Sequence, residues 1–430
     1  MLWQSTNLNK KNMNKFGYIS KNTILHNLIK LKQLVFEVTD ACNLHCKYCA
    51  YAELYEGYDH RSNTLMPFHK AKLAIDYLQS LWNKNCYRDM DKSVNISFYG
   101  GEPLLNMEFI RQIVTYTQQL PPTGRIFKYS MTTNAMLLDK YMDYLVEKDF
   151  TLLISLDGDE QGQSYRTDHA GNNSFQRVYR NILLLKEKYP DFWKNNVNFN
   201  AVLHDRNGVE RTYEFYKNQI GKLPLISPVN PAGVRADKQD EFRRIYCNIP
   251  KEIRQSKLCE QIENEYFIRA PRIASILNYL HEFSNNFYKS YLQLAINRES
   301  LFRYSTGTCT PFSKKMFITV NGKILPCERI AHDYTMGQVT DTEVIIDYEQ
   351  IAEQYNQHTS RYLKQCKHCA ISRHCRICVY QEDEINKGNN HCSSFMTEKQ
   401  LEAEQKDILA YLEKHPELYK RIFNEVSIGG

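Results

Sequence analysis

The chain has 430 residues, of which 42% are hydrophobic and 24% are charged, and its formal net charge is +6. This is the composition of a globular protein with a large core, and the length favours two units joined by helices. The positive charge allows an anionic ligand, but no Lys/Arg run is long enough to predict nucleic-acid binding. No stretch approaches the about 18 consecutive apolar residues of a transmembrane helix, which excludes a membrane span.

The thirteen cysteines are clustered rather than scattered. Three lie at 42–49 and seven lie between 309 and 392, whereas Cys86, Cys247 and Cys259 are isolated. The first twenty residues are polar and lack the apolar core of a signal peptide. We therefore expect a cytoplasmic protein whose cysteines bind metal in a reducing compartment instead of forming disulfides.

Between residues 31 and 240, short β-rich runs alternate with amphipathic stretches. The predicted strands cover 33–38, 94–99, 126–132, 151–156, 196–203 and 222–229, and the predicted helices cover 69–82, 106–119, 138–148, 174–188 and 207–220. Strands that alternate with helices form crossover units of a parallel sheet. Six such strands predict an α/β fold with a partial (β/α)6 barrel, in which ligands bind at the carboxyl ends of the strands.

The composition divides the chain into five expected segments. An N-terminal extension covers 1–30, the barrel covers 31–240, a helical bridge covers 241–305, a small cysteine-rich domain covers 306–396, and a C-terminal helix covers 397–430. The C-terminal helical pattern is interrupted at Pro416, because proline cannot continue a helix.

Three thiols lie within eight residues directly after the first predicted strand. Cys42, Cys46 and Cys49 have the spacing Cx3Cx2C, from which thiols can converge on one soft metal centre. Three thiolates would leave one iron of a four-iron cluster open to an outside ligand. A three-cysteine zinc site is the alternative, but zinc requires a fourth ligand and only His45 lies nearby.

With Tyr48 before its third cysteine, this motif resembles the signature of the radical S-adenosylmethionine (SAM) superfamily. The resemblance implies that the three thiolates hold a [4Fe–4S] cluster and that SAM chelates the fourth iron. The second predicted strand ends in Gly100-Gly101-Glu102-Pro103, which matches the family's GGEP motif. The family assigns this turn to the methionine amine of SAM.

Three further residues match the family less closely. Asn134 stands in Thr133-Asn134-Ala135, where the family has Thr-Asn-Gly, so Ala135 is a departure. Ser155 ends the fourth strand, where the family places a serine near the SAM ribose and carboxylate. Arg166 matches an arginine that can pair with that carboxylate. Taken singly, each could instead be a helix cap, a turn residue or a surface ion-pair partner.

The second cysteine group resembles the SPASM module, which binds two auxiliary [4Fe–4S] clusters in radical SAM peptide-modifying enzymes. The order is Cys309, twelve residues, Gly322, four residues and Cys327, followed by Cys366-x2-Cys369-x5-Cys375-x2-Cys378 and Cys392. The family's interleaving implies a distal cluster on Cys366, Cys369, Cys375 and Cys392, and a proximal cluster on Cys309, Cys327 and Cys378. Only two residues separate Cys375 from Cys378, where the family has three. A zinc ribbon is the physical alternative.

Glu328 directly follows Cys327, where sulfatase-maturating members of the family have an aspartate base. A glutamate can perform the same proton transfer, so Glu328 is the candidate catalytic residue. Its alternative role is a surface ion pair with Arg329.

The resemblance implies reductive cleavage of SAM to a 5′-deoxyadenosyl radical that takes a hydrogen atom from the substrate. We predict an oxidoreductase that matures a ribosomally made peptide or protein through a thioether or carbon–carbon crosslink. The alternatives are formylglycine formation on a sulfatase and a non-catalytic peptide-binding scaffold with structural metal.

The expected electron donor is a flavodoxin or ferredoxin. Thirty residues before the first strand are too few for the winged-helix leader-binding domain of some relatives, so we expect a separate protein or this chain's own surface to bind the leader.

Overall fold

The computed structural model describes residues 16–84, 93–121, 125–280, 304–372, 375–386 and 391–426. The chain divides into two units, a larger one within Ser20–Cys259 and Cys309–Glu353, and a second one within Met1–Ile19, Glu260–Thr308 and Gln354–Gly430. Parts of the predicted N-terminal extension and helical bridge, and the isolated Cys86, lie outside the described residues.

A ten-stranded sheet forms the centre of the larger unit. The strands along the chain are β1 (Gln33–Glu37), β2 (His45–Cys46), β3 (Ser93–Tyr99), β4 (Ile126–Thr133), β5 (Thr151–Ser155), β6 (Arg166–Thr167), β7 (Val197–Leu203), β8 (Leu225–Pro228), β9 (Met316–Ile318), β10 (Lys323–Leu325), β11 (Gly337–Val339) and β12 (Val344–Ile345). Of these, β2 and β6 pair with each other in a separate antiparallel sheet, and the other ten form the large sheet. Parallel pairing runs from β1 through β3, β4, β5 and β7 to β8. The predicted partial (β/α)6 barrel is therefore confirmed.

Amphipathic helices connect these parallel strands. They are Phe68–Lys84, Met107–Gln119, Leu138–Glu147, Phe175–Lys188, Pro190–Asn196 and Val209–Phe215, and a further helix, Lys21–Ile29, precedes β1. The first of them buries Ala71, Ala74 and Leu78 at the three- and four-residue spacing of one helical face. Burial of such faces on the sheet supplies the core of the larger unit.

Four short strands extend the sheet beyond the six that the sequence predicts. β9 pairs with β1 in parallel, and β10, β11 and β12 continue in antiparallel fashion. Each has only two or three residues, which is too short to show an alternating pattern in the sequence. This extension attaches the segment around Cys327 to the barrel sheet, while the predicted boundaries of the cysteine-rich domain stay a prediction.

From residue 239 onward the described helices are Gln239–Ile245, Ile249–Gln255, Cys259–Tyr266, Pro271–Asn278, Tyr348–Ser360, Leu363–Cys366, Val379–Asn386, Glu398–Lys414 and Pro416–Glu425. The Thr397 hydroxyl accepts from the amide of Gln400 and caps the helix Glu398–Lys414. The predicted interruption at Pro416 is confirmed. None of the helices in the described parts of the chain is long and apolar enough to cross a membrane.

The turn after β4 has a backbone conformation that normally selects glycine. Ala135 has a φ of 60° and is fully buried. Its amide donates to Thr133 Oγ1 at 3.0 Å, and its carbonyl accepts from Asn181 Nδ2 at 2.9 Å. A left-handed conformation costs an L-residue about 1–2 kcal/mol, so these hydrogen bonds hold a strained alanine where the family has glycine.

We expect Ala135→Gly to leave the free energy of unfolding within about 0.5 kcal/mol of the parent, because relief of the backbone strain offsets the lost methyl group. Ala74→Gly is the matched control, since Ala74 is equally buried but lies inside a helix. The control should lose about 1–2 kcal/mol. Urea unfolding of both variants measures the difference, and equal losses would contradict this account of the turn.

Candidate active site

The three cysteines of the Cx3Cx2C motif lie together after the carboxyl end of β1. Each is half-buried, and Cys49 and Cys42 are close enough to Cys46 that their charges would act on it. Burial raises the pKa of Cys42 to about 11 and the pKa of Cys46 to about 12. Both groups are therefore neutral thiols at pH 7 unless they bind a metal.

This donor set fits an iron–sulfur cluster. Buried thiols become thiolates when they coordinate a metal centre, because the positive charge of the metal replaces the lost solvation. In the parts of the chain that the structure describes, no three His, Cys, Asp or Glu side chains are placed so that they could hold a single metal ion. A cluster differs in that each cysteine binds its own iron atom.

The GGEP turn packs directly on the backbone that leads into the cysteine loop. Gly100 has a φ of 125°, and a Cβ atom there would lie 2.3 Å from the carbonyl oxygen of Thr39. A Cβ atom on Gly101 would lie 1.9 Å from the carbonyl oxygen of Ala41. Both positions therefore require glycine. Pro103 is buried and begins the short helical turn that follows.

The carboxylate of Glu102 is buried and binds backbone and side-chain donors of the protein. It accepts from the amide of Leu104 at 3.1 Å, from Thr133 Oγ1 at 2.7 Å and from the amide of Asn134 at 2.7 Å. Burial raises the pKa of Glu102, and the hydrogen bonds lower it. The effect of burial is larger, so the pKa of Glu102 is raised to about 7. Glu102 thus fastens the GGEP turn to the turn after β4, and its contact with SAM stays a prediction.

Asn134 reaches the first cysteine of the motif. Its Nδ2 atom donates to Asn43 Oδ1 at 2.7 Å and lies 3.8 Å from Cys42 Sγ, while its Oδ1 atom accepts from the amide of Met136 at 3.0 Å. The structure therefore brings together three of the predicted elements: the cysteine loop, the GGEP turn and the turn after β4.

Asp157 is a site residue that the sequence interpretation missed. Its carboxylate is fully buried and accepts from Arg166 through Nε at 2.9 Å and Nη2 at 3.1 Å. It also accepts from the hydroxyl of Tyr48 and from the amide of Val202 at 2.9 Å. Burial acts to raise the pKa of Asp157, but the Arg166 charge and these hydrogen bonds lower it below its usual value.

Arg166 therefore already has a carboxylate partner in the protein, and its Nη1 atom lies 4.0 Å from Cys46 Sγ. The predicted pairing of Arg166 with SAM stays a prediction, as does that of Ser155, which is half-buried at the end of β5. Asp157 follows Ser155 by two residues, and its place just past a strand end was the available signal in the sequence.

Glu328 is largely but not fully buried beside Cys327, whose Sγ atom lies 3.6 Å from Glu328 Oε2. Its ion pair is with Lys315 at 2.9 Å and not with Arg329. Burial acts to raise the pKa of Glu328, but the Lys315 charge lowers it, so the group is a carboxylate at pH 7. Tyr99 lies at the end of β3, and burial raises its pKa. Negative charges on Glu328 and Cys49 raise the pKa of Tyr99 further.

The four predicted ligands of the distal cluster converge within the second unit. Burial raises the pKa of Cys392 to about 11, and charges on Glu382, Cys375 and Cys366 raise it further. Burial also raises the pKa of Cys375, and a negative charge on Cys369 raises the pKa of Cys375 further. These donors fit a cluster with four thiolates.

The predicted proximal ligands are divided between the two units. Cys309 is exposed and Cys327 is half-buried in the larger unit, whereas Cys378 belongs to the second. Burial raises the pKa of Cys327 to about 12. Their grouping around one cluster stays a prediction.

Two models of known protein families match this chain. Residues 36–216 match the radical SAM superfamily, and residues 309–370 match SPASM, an iron–sulfur cluster-binding domain. The radical SAM cyclopropyl synthase TigE of Paramaledivibacter caminithermalis is 23% identical over 358 residues, which cover 81% of this chain and 67% of TigE. The cysteine-type anaerobic sulfatase-maturating enzyme of Clostridium perfringens is 23% identical over 384 residues, which cover 85% of this chain and 94% of that enzyme.

A solved structure of anSMEcpe with bound AdoMet is also similar. Its TM-score is 0.61 at 19% identity, and the match covers 92% of this chain and 96% of that one. At this identity the likeness shows a shared fold.

We expect Asp157→Asn to lower the free energy of unfolding by about 3–5 kcal/mol, because it leaves the buried Arg166 guanidinium without its counter-charge. Asp237→Asn is the matched control, since Asp237 binds Arg235 in the same two-point geometry, at 3.0 and 3.1 Å, but on the surface. Urea unfolding of the control should be close to that of the parent. If both variants lost the same free energy of unfolding, the burial of the Asp157–Arg166 ion pair would not contribute to stability in the expected way.

Proposed function

Because the chain belongs to the radical SAM superfamily and carries a SPASM domain, we propose that it matures a ribosomally made peptide or protein by forming a thioether or carbon–carbon crosslink. Its cofactors are SAM and [4Fe–4S] clusters. One cluster binds SAM, and the others are the auxiliary clusters of the SPASM domain. The observation that supports the proposal best is the convergence of the three cysteines, the GGEP turn and the Asn134 turn. A scaffold with purely structural metal has no need of this arrangement around an incomplete ligand set.

When bound, the SAM-binding cluster and SAM supply a 5′-deoxyadenosyl radical that removes a hydrogen atom from an unactivated carbon. We assign Cys42, Cys46 and Cys49 to this cluster. The backbone of the GGEP turn would bind the SAM amine, since this turn packs directly on the segment that leads into the cysteine loop. Asn134, Ser155 and Arg166 would complete the SAM site at the strand ends.

Glu328 is proposed as the base that accepts a proton from the substrate group that forms the new bond. Its ionised state supports this role, because a base must be unprotonated before it acts. Glu328 follows β10, which is joined through β9 to β1, and this shared sheet supports a position on the side of the cysteine loop. Lys315 would keep Glu328 ionised and fix its orientation.

Formylglycine formation on a sulfatase is the second candidate. It is favoured by the similarity to a sulfatase-maturating enzyme along 94% of that enzyme. Glu328 in the place of aspartate weighs against it. The two reactions differ in product, since a crosslink removes two hydrogens from the peptide, whereas formylglycine is an aldehyde that hydrazides capture.

We further propose that the protein works in the cytoplasm with a flavodoxin or ferredoxin as its electron donor, and that a separate protein or this chain's own surface binds the leader. The support is chemical. SAM cleavage requires a low-potential electron, and sulfur-ligated clusters persist in reducing compartments.

Anaerobic reconstitution with iron and sulfide, followed by dithionite and SAM, should yield 5′-deoxyadenosine and about twelve irons per chain, four for each of three clusters. Replacing Cys42, Cys46 and Cys49 together by alanine should abolish 5′-deoxyadenosine and remove about four irons. Cys247→Ala, which removes an isolated thiol, is the control and should change neither value. A parent protein that binds zinc and makes no 5′-deoxyadenosine would refute the enzyme and leave the scaffold.

Glu328→Gln should separate radical formation from product formation. With a substrate found by co-expressing short neighbouring open reading frames, we expect 5′-deoxyadenosine within about threefold of the parent but product at least ~100-fold lower, since general bases contribute this factor. Mass spectrometry of the peptide measures product, and Glu343→Gln on the exposed surface of the same segment is the control. Full product from Glu328→Gln would exclude Glu328 as the base.

A further inference from the structure

Arg61 places a guanidinium group against the third cysteine of the motif. Its Nη2 atom lies 3.5 Å from Cys49 Sγ, within hydrogen-bond distance of a sulfur acceptor. The guanidinium carbon also lies 4.2 Å from the centroid of the Tyr51 ring. The residue stands in the polar stretch between the cysteine loop and the helix Phe68–Lys84, where the sequence shows no motif.

The position of this guanidinium is fixed by neighbours that are themselves fixed. The hydroxyl of Tyr51 donates to Glu37 Oε1 at 2.5 Å, and Glu37 Oε2 accepts from the amide of Val320 at 2.9 Å. Glu37 is buried at the end of β1, so the Tyr51 ring is anchored to the sheet. Arg61 therefore rests on a rigid aromatic face and has little freedom to leave Cys49.

The Arg61 charge has no carboxylate partner at ion-pair distance within the described chain, and its buried Nε atom has no hydrogen-bond partner there. This contrasts with Arg166, which approaches Cys46 but is neutralised by Asp157. Holding an unpaired cation in a half-buried position is costly. The arrangement is consistent with an anion that completes the site, and the Cys49 sulfur is an acceptor within reach of the guanidinium.

We propose that Arg61 is a positioning residue that raises the reduction potential of the SAM-binding cluster through the Cys49 thiolate. The proposal rests on the proposed function, because it requires Cys49 to be a cluster ligand. Reduction makes the cluster more negative by one charge, and a fixed cation at its ligand favours the more negative form. Hydrogen bonds to ligand sulfurs raise cluster potentials in the same direction. Arg61 would thus ease electron delivery to the cluster.

The test is a redox titration of the reconstituted full-length protein followed by electron paramagnetic resonance. The signal of the SAM-binding cluster is identified as the one absent when Cys42, Cys46 and Cys49 are all alanine. At the midpoint potential of the parent, we expect Arg61→Gln to lower the ratio of reduced to oxidised cluster about fivefold or more. Arg61→Lys keeps the charge but loses the planar guanidinium, so its ratio of reduced to oxidised cluster should fall between those of the parent and Arg61→Gln.

Arg111→Gln is the matched control, because Arg111 lies over the Tyr144 ring at the same 4.2 Å but on the exposed side of the helix Met107–Gln119, with no hydrogen bond to a cysteine in the described part of the chain. It should leave the ratio unchanged. An unchanged ratio in Arg61→Gln, or an equal change in Arg111→Gln, would overturn the proposal. If Arg61→Gln does not retain the iron content of the parent, Arg61→Met, which also removes the charge but keeps an apolar stem on the Tyr51 ring, is titrated in its place, and a parental ratio there overturns the proposal. A parent without any cluster signal or 5′-deoxyadenosine would instead refute the proposed function.

Discussion

The candidate site depends on one close backbone contact, in which the Gly100-Gly101 turn lies directly on the segment from Thr39 to Ala41. Parallel pairing of β1 with β3 brings the two strand ends side by side, and the missing side chains allow their loops to touch. The buried Glu102 carboxylate then fastens the turn after β4 to the same place. Any side chain at the glycines would separate the cysteine loop from the groups that surround it.

Charge is distributed around the three cysteines in an unequal way. Cys46 faces Arg166, whose charge is balanced by Asp157, and Asp157 also orients Tyr48. Cys49 faces Arg61, which has no carboxylate partner at ion-pair distance in the described part of the chain. One side of the site therefore holds a balanced ion pair, while the other side holds a guanidinium that no described carboxylate neutralises at ion-pair distance. An anionic centre with thiolate ligands is the complement of such a surrounding.

The short antiparallel extension connects the two sequence modules of the larger unit. Because β9 pairs with β1, the segment with Cys327 and Glu328 belongs to the same sheet as the cysteine loop. Tyr99 responds to charges on both sides, from Cys49 and from Glu328. If Glu328 is the proposed base, this shared sheet is what would hold it on the same side of the molecule as the cysteine loop. The sheet thus supplies the spatial basis for the proposed chemistry.

The sequence by itself determined the six parallel strands, the helices between them, and the cysteine and GGEP motifs, because these follow from hydrophobic period and from local spacing. It also indicated that Ala135 departs from a glycine position. Only the tertiary structure decided that Glu328 pairs with Lys315, that Asp157 holds Arg166, and that Arg61 lies against Cys49. These contacts join residues whose neighbours in the sequence carry no pattern, so they depend on how loops meet at the strand ends. Local spacing cannot specify which buried charges face each other; the packing of the sheet does.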